Sequence, residues 1–202
     1  LSIVSQEMQR LKILISSMLN LTKFDNGTIE IHYQLFPIQD LAFRTILMFE
    51  SRLEKRNITL EGLDSEPVQV WGDPDLIGQV IYNLFENATK FVNTGGTITF
   101  TFKDEPNNTS IAIRNTGAGI SKEELPKIFE RFYKSDDSRS HDKTGLGIGL
   151  DITKHIVRLH KAQISVSSEE GEYTEFLIRL PKKDAPAESP TENPEKQPKD
   201  AR

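Results

Sequence analysis

Between Asp75 and Phe91 the apolar positions Ile77, Ile81, Leu84 and Ala88 fall within about 60° of one another at 100° per residue, which predicts a helix with one core-facing stripe. Asn83, Asn87 and Lys90 fall on a second face, with Asn87 at the border of the stripe. Two carboxamides and an ammonium together suit a Mg²⁺–phosphate ligand: amide oxygens suit a hard cation, and the ammonium offers phosphate a point charge. A solvated flank is the other reading of the same three residues, and only the rest of the chain separates the two.

The first 25 residues alternate at spacings of three and four through Leu1, Val4, Met8, Leu11, Ile15, Met18 and Thr22. That is the pattern of a bundle or coiled-coil helix whose apolar face needs a partner, or of a helix packed on its own domain. Asp25-Asn26-Gly27 stops it. Residues 28–36 alternate as a strand with Ile29, Ile31, Tyr33 and Leu35 on one face, and Pro37 breaks it. An amphipathic helix over 40–55 runs through Leu41, Ile46, Leu47, Phe49 and Leu53. Short strands are expected around 58–60 and 68–71, and Gly72-Asp73-Pro74 then places Pro74 in the first turn of the central helix. Beyond the Gly95-Gly96 turn, 97–103 and 110–114 read as a strand pair about Pro106-Asn107-Asn108. Ser121 and Glu124 form a capping box for a short helix over 122–132. A last helix over 150–160 and closing strands over 164–166 and 176–180 complete the pattern. The expected fold class is α+β, a two-layer α/β sandwich with a mixed sheet covered by helices on one face. Its parts are a bundle-type helix at 1–26, a core domain at 27–181 and a tail at 182–202, where Pro, Glu, Lys and Asp dominate and disorder is expected.

Composition narrows the function more than the fold. At 202 residues the chain buries a sizeable core as one domain with attachments. Its 30 acidic and 25 basic residues give a net charge of −5, which argues against a nucleic-acid partner. With no cysteine there is no disulfide framework and no thiolate metal site, a usage compatible with the cytoplasm. No apolar run reaches membrane-spanning length and no signal-peptide pattern is present. Leu1 is not an initiator methionine, so the chain reads as part of a longer protein, and any membrane anchor of that parent is expected elsewhere.

Two glycine-rich loops carry the chemistry. Asn115-Thr116-Gly117-Ala118-Gly119-Ile120 follows a strand and lets backbone approach a flat ligand, or simply makes a tight turn. Gly145-Leu146-Gly147-Ile148-Gly149 opens the last helix, so backbone N–H groups and a helix N-terminus face an anion, unless this too is a structural turn. Between them an aromatic cluster over 128–134 precedes a long polar run, the composition of a hinged lid over about 116–144. Arg131, Lys134, Arg139 and Lys143 are candidates to neutralise phosphate there, or are solvated charges. A dinucleotide-binding Rossmann unit is disfavoured, because the glycines come late and after mixed strands.

Together these segments resemble the catalytic ATP-binding domain of sensor histidine kinases, in the Bergerat-fold group that also holds gyrase and mismatch-repair ATPases. NLFENATKF (83–91) looks like the family's N box, NTGAGI (115–120) its G1 box, FERFY (129–133) its F box and GLGIGL (145–150) its G2 box, in the family's order. The resemblance covers residues 28–181. The first helix with KFDNG looks like the second helix of that family's dimerisation and phosphoacceptor bundle.

The resemblance implies ATP and Mg²⁺ as cofactors. Asn87 would bind the metal with Asn83 in support, Lys90 would reach a phosphate, and Phe91 would lie against adenine or ribose. Gly117 and Gly119, with Ile120, would shape the adenine pocket, and Gly145, Leu146, Gly147 and Gly149 the phosphate side. It further implies transfer of the γ-phosphoryl to a histidine of the parent's dimeric bundle, relay to a response regulator receiver domain, and a homodimeric full-length protein. Gyrase-like relatives carry a glutamate base where Asn83 stands, so phosphoryl transfer is favoured over hydrolysis.

Three departures from the family pattern stand out. Asn115 replaces the aspartate that accepts from the adenine amino group; losing that charge costs roughly 1 kcal/mol, or about five- to tenfold in affinity. Leu146 stands where a hydroxyl residue is usual. The bundle helix with the phosphoacceptor is missing, and His32, His141, His155 and His160 all lack its context, so the chain alone is not expected to phosphorylate itself. A degenerate, non-catalytic docking module is the alternative that Asn115 leaves open.

Overall fold

A computed structural model describes residues 29–134 and 147–183. The predicted first helix, the polar run after Lys134 and the tail from 184 lie outside the described residues, as do Gly145 and Leu146. In chain order the elements are β1 (Gln34–Pro37), α1 (Ile38–Lys55), β2 (Thr59–Glu61), β3 (Gln69–Gly72), α2 (Pro74–Phe91), β4 (Thr97–Asp104), β5 (Asn108–Thr116), α3 (Gly149–Leu159), β6 (Gln163–Glu169) and β7 (Tyr173–Pro181).

Five strands form one sheet in the order β2-β4-β5-β7-β6, in which only the β2–β4 pairing is parallel. Strand alternation sends Ile98, Phe100 and Phe102 of β4, Ile111 and Ile113 of β5, and Phe176, Ile178 and Leu180 of β7 into the core. α2 closes that core with Ile77, Ile81, Leu84 and Ala88, the stripe read from the sequence, joined by Val80 and Phe85. The result is the expected two-layer α/β sandwich. Both ends of α2 are fixed by side chains. Asp73 is the N-cap, its carboxylate accepting from Asp75 N (3.0 Å) and Leu76 N (3.1 Å), with Pro74 in the first turn. The Arg56 guanidinium donates to the carbonyls of Thr89 (2.6 Å) and Val92 (2.5 Å) at the other end.

Three local expectations are corrected. Of the predicted 28–36 strand only residues 34–36 lie in a ladder, and β1 runs on through Pro37 instead of breaking there. Its partner β3 runs from Gln69 to Gly72 and then turns into α2, so residues 29–33 meet no strand; the His32 N–H is taken instead by the Asp73 carboxylate at 2.9 Å. Leu47 is 68 % exposed, because it lies nine residues, about 180°, from Ile38 on α1, whose buried face is Ile38, Ala42, Thr45, Phe49 and Leu53. Residues 122–132 form successive turns closed by i→i+3 bonds such as Lys127 N to Glu124 O (2.8 Å) and Glu130 N to Lys127 O (2.8 Å). The Ser121 hydroxyl spends itself on the Glu124 carboxylate at 3.1 Å rather than on a helix N–H.

Candidate functional site

α2 and α3 pack against one another in opposite directions, and the polar face of α2 lies at their contact. Asn83 is buried and its Nδ2 donates to Gly149 O at 3.0 Å, with Thr153 Oγ1 further off at 3.4 Å. A carboxamide thus grips the glycine-rich bend that opens α3. Asn87 follows one turn on and is half-buried. Lys90 forms an ion pair with Glu86 at 3.3 Å on the same helix. Phe91 ends α2 with 37 % of its surface exposed.

The other glycine bend closes on that end of α2. Gly117 bridges Val92, and a Cβ at Gly117 would sit 2.1 Å from Phe91 O, so only glycine permits the approach. Gly119 has φ +70°, and a Cβ there would lie 2.2 Å from Glu169 O. Ile120 N donates to Ser168 Oγ at 2.8 Å. These bonds tie the loop after β5 to α2 on one side and to the β6–β7 turn on the other. From Asn83 to Phe91 the helix rises about 12 Å. Its amide-bearing face is therefore bounded by Gly149 at one end and Gly117 at the other.

Asn115 is buried at the end of β5, and its Nδ2 donates to Thr116 O at 3.0 Å. With the amide hydrogens turned to the backbone, Oδ1 is the atom left to accept, with no hydrogen-bond partner among the described residues. That orientation follows from the bond network rather than from the atoms' identities. The rotamer offers an acceptor, as the family's aspartate would, but without the charge.

Arg131 does not stand free: its Nε meets Asp151 Oδ2 at 2.9 Å, joining the aromatic cluster to the first turn of α3. Phe132 N donates to Gly147 O at 3.0 Å, so the two sides of the long polar run are clipped together by a backbone bond. Lys134 is half-buried. Among the described residues no group of three or more His, Cys, Asp or Glu is gathered to hold a metal. Asn87 supplies one neutral oxygen, which fits Mg²⁺ only where the ligand's own phosphates and water complete its octahedron.

Two contributors were missed in the sequence. Asp73 carries a signal that was there to read, an acidic residue directly before a proline that opens an apolar-periodic helix. Asp151 does not, because its pairing with Arg131 depends on how the loop returns.

The histidine kinase-, DNA gyrase B- and HSP90-like ATPase family model matches residues 72–184, more than half of the chain, and the chain belongs to that family. Within it the similarities fall on the sensor histidine kinases. The chain is 33% identical over 183 residues to the sensor protein SrrB of Staphylococcus aureus, covering 90% of this chain and 31% of that protein. It is 27% identical to the catalytic domain of histidine kinase ThkA, covering 74% of this chain and 95% of that one with a TM-score of 0.65. A structure of ThkA in complex with the response regulator protein TrrA matches with 24% identity and a TM-score of 0.65, over 89% of this chain and 49% of that one. The chain thus spans about a third of the length of the curated relatives it matches. No helix of the described residues is long and apolar enough to cross a membrane.

Proposed function

We propose that this chain binds Mg·ATP between its two glycine bends and presents the γ-phosphoryl to a histidine outside the chain, for relay to a response regulator. The single observation that carries this reading is the Asn83–Gly149 bond, which brings the amide-bearing face of α2 against the glycine bend at α3. The adenine amino group would donate to Asn115 Oδ1, and Gly117 and Gly119 would admit the ring. Phe91 would cover it. Asn87 would hold Mg²⁺, which when bound neutralises charge on the phosphates. Lys90 would turn from Glu86 to a phosphate oxygen, and the open end of α3 would face the remaining anionic oxygens. Asn83 has no carboxylate to take a proton from water, so nothing at that position serves hydrolysis.

Phosphoryl transfer asks for positioning and charge stabilisation more than for covalent work by the protein. The acceptor histidine belongs to the parent's bundle. The parent acts as a homodimer. ThkA's complex with TrrA supports a receiver domain as partner.

Calorimetric titration tests the reading. ATP with Mg²⁺ should bind this chain at sub-millimolar Kd, and Asn87→Ala should weaken binding at least about tenfold with Mg²⁺ present and much less with EDTA. No heat at millimolar nucleotide would leave only a docking role.

A further inference from the structure

The end of α3 remote from the candidate site carries a second cluster of contacts. His160, its C-cap, is 2 % exposed, and both ring nitrogens are spent: Nδ1 bonds Ile156 O at 2.8 Å, and Nε2 receives the Asp73 N–H at 3.1 Å. A carbonyl only accepts and a backbone N–H only donates, so the ring is the neutral tautomer with its proton on Nδ1. Asp73 is itself the N-cap of α2. It therefore joins the start of α2 to the finish of α3.

The helices are clamped twice, at matching intervals. Asp73 to Asn83 covers about 15 Å of α2, and Gly149 to His160 about 17 Å of α3. One clamp is Asn83–Gly149, at the candidate site; the other is Asp73–His160. A stiff helix fixed at two points has one register against its neighbour, and loosening one point widens the motion allowed at the other.

The far clamp also holds the segment arriving from upstream. His32 N donates to Asp73 Oδ2, and the Tyr33 ring lies edge-on to His160 with centroids 5.5 Å apart and stacks on Trp71 at 5.7 Å. Its hydroxyl meets Leu159 O at 3.4 Å. Beside these contacts a cleft of about 450 Å³ separates the segment from the first turn of α2. The segment is held by a few bonds and ring contacts rather than by close packing.

We propose that Tyr33 is a positioning residue: through His160 and Asp73 it ties the segment entering the domain to the register of α3 on α2, and so to the Asn83–Gly149 bend of the nucleotide site. This rests on the site assignment above. Displacing Tyr33 from His160 lets α3 shift and disturbs the bend without touching the ligand.

Hydrogen exchange and calorimetry on the whole chain test it. In Tyr33→Ala, amide exchange should quicken about fivefold in the first turn of α3 (150–153) as well as at 158–161, and the Mg·ATP Kd should rise about five- to tenfold. Tyr33→Phe keeps the ring and should behave as the parent sequence; so should Leu47→Ala on the far side of α1. Quickening confined to 158–161, or an unchanged Kd, would overturn the link. Should the unaltered chain bind no nucleotide, the site assignment fails, while exchange at 150–153 still decides whether the clamp reaches that far.

Discussion

On the proposed function, Asn115 is the residue that sets how well the site holds adenine. Its amide nitrogen is committed to Thr116 O, so Oδ1 is left as a neutral acceptor. Restoring charge at that atom strengthens one hydrogen bond by roughly 1 kcal/mol, so Asn115→Asp should lower the ATP Kd about five- to tenfold by calorimetry. An unchanged Kd would mean that adenine is held elsewhere. His160 gives a second residue-scale expectation. Burial lowers its pKa from the ordinary imidazole value, against the smaller raising effects of the Ile156 carbonyl and the Asp73 carboxylate. Protonation would also set an N–H at Nε2 against the Asp73 N–H. The groups facing the ring are the Asp73 carboxylate and the Tyr33 phenol, the latter pushed up by burial and by Asp73. Because the folded pKa is the lower one, this contribution to stability is complete above pH 6.5 and shrinks as pH falls below it toward the folded pKa. Urea denaturation at pH 7.5 and 5.5 should show a larger loss in the unaltered chain than in His160→Gln, whose amide oxygen accepts from Asp73 N without titrating. Equal losses would remove His160 from the pH response.

At the scale of elements, α2 was legible because its periodicity and its polar face occupy one continuous stretch. Ile77, Ile81, Leu84 and Ala88 are buried as the stripe requires, and Asn83 meets Gly149. The strands of the sheet were legible for the same reason, since alternation is a local property. What failed depended on a partner. Residues 29–33 alternate as well as any strand, but β3 ends at Gly72 and leaves them nothing to pair with. Leu47 satisfied an apolar pattern on α1, yet the face that packs is set by Ile38 and Phe49, and a lone apolar residue on the far side is ordinary. Ser121 and Glu124 had the spacing of a capping box, and their direct bond at 3.1 Å left successive turns instead of a helix. The same dependence hid part of the site. Arg131 read as a cation for phosphate because its acidic partner, Asp151, lies twenty residues on, beyond the long polar run.

For the molecule as a whole, the question is where the phosphoryl group can go. Among the described residues, three imidazoles are available. His160 is enclosed and uses both nitrogens, and His155 holds Nδ1 2.9 Å from Asp151 O and 3.4 Å from its carboxylate. The His32 backbone is fixed to Asp73, at the N-terminal end of α2, whereas the amide face of the site begins ten residues further along that helix. In-line transfer needs the attacking imidazole nitrogen within about 3–3.5 Å of phosphorus and opposite the leaving ADP oxygen, and on the proposed site none of the three is expected to meet that. His141 lies outside the described residues and lacks the sequence context of a phosphoacceptor, so incubating the chain with Mg·ATP carrying a labelled γ-phosphate should leave it unlabelled, as judged by acid-labile counts on a gel. Adding a polypeptide that bears an acceptor histidine on a helical bundle should move label to that polypeptide alone. Label retained by this chain in the absence of any acceptor would show that the bend at Gly149 delivers phosphate inward, and the assignment of an external acceptor would fall.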